Sequence, residues 1–534
     1  MHSRTRGLAE GRFARRCALS LCLGCPTCAR ADAAPGEPQR FEDADGVWRD
    51  FDATLRLHIL TPRGPPRPGL AAAENAGWLA FGLVYYWGYP ELNKADWDRP
   101  SLGDRFSLSI FRFDNNSSIT NHVIHPFAGA AYYGFARVNN LGPGLAAAYG
   151  LGSAFLWEFA LEWRELVSVN DLVFTFLGGL APGEFFFQAG EYATSAPPSG
   201  AISTVGAWTL GLPRTVHART SGDRAPPPAA LDAVGLGTAR WHKGLLAARL
   251  GGASTDPRAP PLVGLLAEAR IVALPGFDRA GTFTARFQHG AFTEGRLSID
   301  SSARGDLALD ARFEAVMLGR YTQALTRADG ERDPRGTAWL VGLATAIRYL
   351  DHRIGADDDQ IAVTHVLGPA LSLWGRRGPL WARLEARAFG DFAAIRSLGF
   401  ESWRDGRAAE GRPWDDVKSV LVKQSYQFLL GGSGRLSLAA GYDTVALDVV
   451  GGAGRYAPLE GLDRKEEDVA RVEPAGETLL ELEAGLSARL ARRADQPGPE
   501  VRFSLTALRH DSRYADTRIA RDDVQARLNV GVGF

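Results

Sequence analysis

The residues best equipped for chemistry lie between Asn121 and Glu184. His122 and His125 are three apart, close enough to face one side of a turn. Glu158 and Glu162 are four apart on one helix face, and Glu165 continues it. Two histidines and two glutamates form a donor set for zinc or a di-metal centre. However, Glu-x-x-x-Glu is frequent on ordinary helices, and this helix lacks a Glu-x-x-His pair. No metal and no cofactor is therefore expected. A hydrolase arrangement is the sharper alternative. It takes His122 or His125 as base, Ser153 as nucleophile and Glu158 or Asp171 as the orienting carboxylate. That set suits acyl transfer or hydrolysis on lipid. Against it, Gly152-Ser153-Ala154 sits within a helix and lacks a G-x-S-x-G elbow.

The plainest reading is structural. Ala/Gly-rich helices pack closely, and the polar side chains between them must satisfy one another. Asn121, Arg137, Glu158, Glu162, Asn170 and Glu184 would form that network, with Arg137 set against Glu158 or Glu162. His125 precedes Pro126 and is expected to be extended.

These residues need helices to carry them. Gly69–Tyr89 holds an apolar stretch. Pro126–Asn139 opens on a proline, which suits a first helical position. Pro143–Leu166 is the longest candidate. A further helix starts at Ser168, whose side chain can cap it, with Asp171 in the first turn. Each segment carries polar residues, so none reads as a plain bilayer span. The motifs run in order: N-H-x-x-H-P from Asn121, G-A-x-Y-Y from Gly129, Ala136-Arg137, S-x-x-x-W-E from Ser153, S-x-N-D-L from Ser168 and Gly183-Glu184. This arrangement resembles the uncharacterised bacterial family called domain of unknown function 3943, over about residues 70–192. Two departures are Phe127 and Thr175-Phe176, where the family more often has Tyr and Thr-Pro. The resemblance implies a defined helical module and no established activity.

Beyond about residue 236 the period becomes two. Phe283, Ala285 and Phe287 alternate with polar residues, as do Leu307–Phe313, Leu480–Leu490, Val501–Ala507 and Val524–Phe534. Alternation puts apolar side chains on one face and polar ones on the other. Runs of about ten such residues suit tilted strands crossing a hydrocarbon layer, and pairing there demands closure. A transmembrane barrel of about twelve antiparallel strands is expected, with the helices as a plug in its lumen or a brace at its periplasmic mouth. Asp329–Arg335, Arg404–Asp416 and Leu462–Pro474 read as long outward loops. The last residue, Phe534, resembles the C-terminal signature of bacterial outer-membrane barrels and implies the barrel-assembly machinery as partner.

The remaining features agree. Residues 1–33 read as a secretory signal: five arginines between Arg4 and Arg16, a short apolar core, then small residues. All four cysteines lie there, so the exported chain would hold no thiol and no disulfide. Residues 34–68 read as a flexible lead-in, 69–192 as the helical module, 193–235 as a linker with a first strand, and 236–534 as the barrel. A net charge of −1 excludes a general nucleic-acid binder. Of the 60 basic residues, 55 are arginine. The expected protein is an outer-membrane barrel in contact with lipid, structural or transport-related. The alternatives are a lipid-modifying enzyme using His122 and His125, and a soluble exported binding protein.

Overall fold

In the computed structural model, residues 39–533 are described except for 44–45, 56–63, 89–96, 196–207, 210, 221–240, 254–259, 329–330, 332, 355–356, 407–417, 465–472 and 491–496. Residues 1–33, the expected secretory signal, and Phe534 lie outside the described residues. Two short strands, β1 (Arg40–Glu42) and β2 (Trp48–Asp50), come first, and β3 (Phe111–Arg112) and β4 (Val167–Ser168) pair separately. The longer helices are α1 (Pro68–Gly88), α2 (His125–Val138), α3 (Pro143–Leu156), α4 (Val169–Ser195), α5 (Leu212–Thr220) and α6 (Leu398–Gly406), besides the short helices Phe51–Leu55 and Val420–Gln424. The long strands are β5 (Trp241–Ala253), β6 (Leu262–Val272), β7 (Gly281–Phe287), β8 (Phe292–Ser301), β9 (Leu307–Thr326), β10 (Arg335–Ile354), β11 (Asp357–Arg377), β12 (Leu380–Arg396), β13 (Tyr426–Tyr442), β14 (Val445–Pro458), β15 (Ala475–Arg489), β16 (Gly498–Tyr514) and β17 (Thr517–Gly533).

Each long strand pairs antiparallel with its neighbours, and β17 pairs back onto β5. β7 and β8 are consecutive pieces of one strand, both laid along β9 and broken at residues 288–291. The result is a closed ring of 12 strands, as the alternating sequence requires. The five alternating runs fall in β7, β9, β15, β16 and β17, except for Leu490, one residue past β15, and Phe534, outside the described residues.

Ion pairs decide which face is inside. Arg348 on β10 meets Glu481 on β15 at 2.6 Å, Arg296 on β8 meets Glu483 on β15 at 2.8 Å, and Arg270 on β6 meets Glu385 on β12 at 2.8 Å. None of these strands are neighbours. Such pairs reach each other only across the lumen. The lumen is therefore filled at mid-height by arginine and carboxylate, around a cavity of about 190 Å³. Arginine suits this because its planar fork pairs with carboxylates bidentately.

Apolar cores close both ends. At the end where β5 begins, Phe283, Phe287, Phe292, Tyr321 and Trp374 pack with Phe277 of the β6–β7 connection. The supposed lead-in joins them. β1 pairs with β7, and Phe41 and Phe51 are buried, Phe51 stacking on Phe283 at 4.1 Å. Gly276 (φ +70°) and Gly281 (φ +153°) admit Phe41, since a β-carbon at either would lie 2.5 Å from the β1 strand. At the far end α6 folds inward: Gly399 N–H donates to Ser512 Oγ at 2.9 Å, and Phe400 and Trp403 pack on Tyr514.

The helices do not occupy the lumen, nor do they brace a mouth. α4 packs on Ala269, Gly295, Phe313, Ile347, Thr364 and Phe392. Ala269, Gly295, Phe313 and Ile347 each adjoin a residue of the lumen ion pairs (Arg270, Arg296, Glu314 and Arg348), so they point outward. The helical module lies against the outer wall over β6 and β8–β13. The reason is steric and electrostatic: the lumen is already occupied, and this sector of the wall carries small and aromatic outward residues that accept helices. Elsewhere the wall presents Leu246, Leu265, Leu438, Leu482, Leu505 and Val530 to the surroundings.

Other expectations also change. The described part of 193–235 holds α5 and no strand. Pro143–Leu161 and Val169–Thr194 are, by length and composition, apolar enough to cross a membrane. Of the three proposed outward loops, Asp329–Arg335 joins β9 to β10 at the near end, whereas the other two belong to far-end connections.

The lumen pairs make a stability prediction. Glu314→Ala removes the carboxylate that Arg387 meets at 2.6 Å, with both side chains largely buried, and leaves it Glu385 at 3.9 Å and neutral oxygens. It should destabilise the barrel by roughly 3–5 kcal/mol. Denaturant unfolding in detergent measures this.

Candidate functional site

Two wide helical turns build the site. Thr120–Ile124 forms a π-helical turn, and the His125 N–H donates to Thr120 O. Trp157–Leu161 forms a second, and the Glu162 N–H donates to Trp157 O at 3.0 Å. Single π-turns inside α-helices cluster at functional sites. The first one explains a departure from expectation: His125 is helical (φ −62°, ψ −50°) despite preceding Pro126. A turn bonded five residues back accommodates a proline that has no N–H to give.

The wider turn also separates the two histidines. His122 faces the barrel wall, where its ring contacts Phe174 (4.6 Å) and Tyr426 (5.1 Å). Its Nδ1 shares a hydrogen bond with Ser118 Oγ at 3.0 Å, and its Nε2 is buried without a partner. His125 turns to the carboxylates. Its Nε2 lies 3.4 Å from Asp171 Oδ2, and its Nδ1 shares a hydrogen bond with Thr175 Oγ1 at 3.2 Å. One ligand atom each of His125, Glu158 and Asp171 lie within 4.8 Å of one another.

Ser168 caps α4 as expected, its Oγ accepting from Asp171 N–H at 3.2 Å. Its own N–H donates to Glu158 Oε2 at 3.2 Å. Asn170 Nδ2 donates to Asp171 Oδ1 (2.8 Å) and to Asp114 Oδ1 (2.7 Å), and Asn121 Nδ2 also donates to Asp114 Oδ1 (2.8 Å). Among the described residues no Lys or Arg pairs with Asp114, Glu158, Glu162 or Asp171. The nearby Arg105 is spent on the backbone: its guanidinium donates to the carbonyls of Glu158, Phe159, Glu162 and Glu165 at 2.7–3.3 Å. Those are the orphan acceptors of a helix end.

Arg137 does not meet Glu158 or Glu162. It meets Glu184 at 2.8 Å, together with Tyr133 OH (2.6 Å) and Gln188 (2.7 Å), in a separate layer between α2 and α4. Ser153 is buried in α3, and neither histidine is hydrogen-bonded to it. A His–Ser pair is thus not assembled. Asp114, Ser118, Thr175 and Arg105 join the set that Asn121, His125, Glu158, Glu162, Asn170 and Asp171 began. The polar run Asp114–Ser118, just before the N-H-x-x-H motif, was the signal for two of them.

Close backbone contact fixes the spacing. A β-carbon at Gly179 would lie 2.5 Å from the carbonyl carbon of Gly129, so α2 and α4 touch there. Outside the site, Asp98 clamps the module to the barrel's far end: it accepts two bonds from Arg464 (2.6 and 2.7 Å) and one from Lys418 Nζ (3.0 Å). Arg464 and Lys418 hold its carboxyl below the ordinary range despite burial.

Residues 110–210 match the family model described as Domain of unknown function (DUF3943). That segment is similar to this family. It spans the first π-turn through α4, the whole of the His–carboxylate centre. The barrel is similar to OmpT, an outer membrane protein of Vibrio cholerae, at 9% identity over 55% of this chain and 98% of that one, with a TM-score of 0.21. It is also similar to OccK8 (OprE) of Pseudomonas aeruginosa, at 11% identity over 55% and 98%, with a TM-score of 0.14. Scores this low leave the barrel resting on its own hydrogen bonding. No curated protein matches the chain.

Two outcomes are expected. Gly179→Val should pry α2 from α4 and expose the DUF3943 segment to protease, while the barrel still migrates as a folded band before boiling. The Asp98 clamp stabilises above the ordinary aspartate range and is lost as pH falls through its depressed folded value. Limited proteolysis should therefore cut around residues 97–118 faster below about pH 4, and Arg464→Ala should allow the same cut at neutral pH.

Proposed function

We propose that the protein resides in the outer membrane as a non-conducting barrel. Its wall supports a membrane-embedded DUF3943 module, and the His125–Asp171–Glu158 centre of that module acts on membrane lipid. The observation that carries this reading is the position of the module: a buried ionisable centre on the outer side of a closed barrel, at the level where lipid would lie. Ionisable groups at such a level are costly and are kept for function.

Supporting features point the same way. The lumen holds apolar cores at both ends and arginine–carboxylate pairs between them, which suits a scaffold better than a pore. Trp87, Trp97 and Trp163 surround Arg164, whose guanidinium carbon sits 4.3–5.3 Å from the three ring centroids. Aromatic rings of this kind mark a membrane–water interface. A small cleft lined by Arg112, Asp114, Glu165, Ser168 and Arg464 adjoins Asp114 at the edge of the centre.

Two measurements test the reading. In planar bilayers the purified protein should add no steady conductance, and discrete open channels would contradict the scaffold. Deleting the protein should change the outer-membrane lipid profile, and His125→Gln should reproduce that change while leaving the heat-dependent gel shift intact. A lipid profile untouched by deletion would sink the lipid reading.

A further inference from the structure

We propose that the His125–Glu158–Asp171 centre binds one divalent transition-metal cation, of the zinc or manganese class. The inference deepens the reading of this same centre and can fail without it.

Three observations carry the proposal. The first is convergence: an imidazole nitrogen and two carboxylate oxygens from three different elements lie within 4.8 Å of one another. One nitrogen with carboxylate oxygens suits zinc or manganese better than a thiolate-seeking metal. The second is charge. Glu162 and Asp114, both half-buried, add to the buried Glu158 and Asp171, making four carboxylates close enough to repel one another. Arg105, held on the nearby backbone carbonyls, offsets part of that charge, but among the described residues no Lys or Arg forms an ion pair with any of the four. Burying that much like charge is expensive unless protons or a cation compensate it. The third is an orphan at the centre's edge. Asn121 is fully buried and its amide nitrogen donates to Asp114, yet its Oδ1 has no hydrogen-bond partner. Buried amide oxygens are rarely left so, and a bound cation with its water would supply the missing partner.

The surrounding residues fit a ligand shell. Thr175 Oγ1 at His125 Nδ1 is the outer contact that fixes a ligating imidazole, leaving Nε2 for the metal. Nε2 already faces Asp171 Oδ2 at 3.4 Å. The Ser168 N–H on Glu158 Oε2 holds that carboxylate in place. The two π-turns aim His125 and Glu158 at this point, which gives their unusual geometry a purpose.

The test uses the full-length folded protein in detergent, stripped with EDTA and titrated with Zn²⁺ and, separately, Mn²⁺. The heat-dependent gel shift checks the barrel in every variant. One equivalent of at least one metal should bind per chain. Glu158→Gln and Asp171→Asn should each abolish that equivalent. Thr175→Val, a gentler change, should retain it with affinity reduced about 10–100-fold. His510→Ala should leave it unchanged, although His510 also sits between two carboxylates, in the lumen (3.0 Å to Asp359 and 2.9 Å to Glu477). The proposal is overturned if the stripped wild type takes up no metal. It is equally overturned if Glu158→Gln and Thr175→Val both bind like wild type, or if His510→Ala removes the site. A lipid change that persists in metal-free protein would then leave lipid chemistry standing without a metal.

Discussion

The structure depends on ion pairs that cross the barrel. Arg270, Arg296, Arg348 and Arg387 each reach a glutamate on a strand that is not their neighbour. These contacts fix the inward face of every strand they touch, because side chains alternate with a period of two. A slip of one residue would turn guanidinium groups into lipid and leucines into the lumen. The same contacts fill the interior, so the helices have only the outer wall to pack on.

That wall is specialised for them. Small residues such as Ala269 and Gly295 admit Phe185 of α4, while Phe313, Phe392 and Phe428 supply flat apolar surface. Without water to drive helices together, close packing of small residues and buried hydrogen bonds must hold them. The Gly129–Gly179 contact and the Arg137–Glu184–Tyr133 layer are those two devices. They set the distance between α2 and α4, and hence between His125 and Asp171. The polar centre thus rests on the barrel at one remove: lumen pairs fix the wall, the wall fixes α4, and α4 fixes the carboxylate that faces His125.

Much of this was legible in the sequence, and the failures are informative. Period-two runs such as Leu480–Leu490 announced strands because both faces were regular. The ring of twelve followed from their number and from the need for closure. The outer placement of the helices was not legible. Phe313 read as an ordinary lipid-facing residue of its alternating run, and periodicity does not say what covers it. Arg137 was assigned the wrong glutamate because helix spacing orders residues along one helix and cannot choose between facing helices. His122 and His125 looked alike until the π-turn separated them, since an i, i+3 spacing presumes an α-turn. Phe41 and Phe51 were lost in a proline-rich, charged stretch, where two aromatic residues carry little weight against composition.

The central claim is that the DUF3943 helices lie in lipid against the outside of the barrel. All four cysteines of the sequence fall between residues 17 and 28, so with those four replaced by serine a single label can be placed at a chosen position. Phe81 on α1 and Leu151 on α3 are 63% and 46% exposed on the module's outer side. Spin labels at Phe81→Cys and Leu151→Cys, in protein reconstituted into bilayers, report the local medium directly. The account predicts that both collide more with oxygen than with a water-soluble nickel complex, as a label in hydrocarbon does. The reverse ranking at both sites would place the helices in water and contradict it.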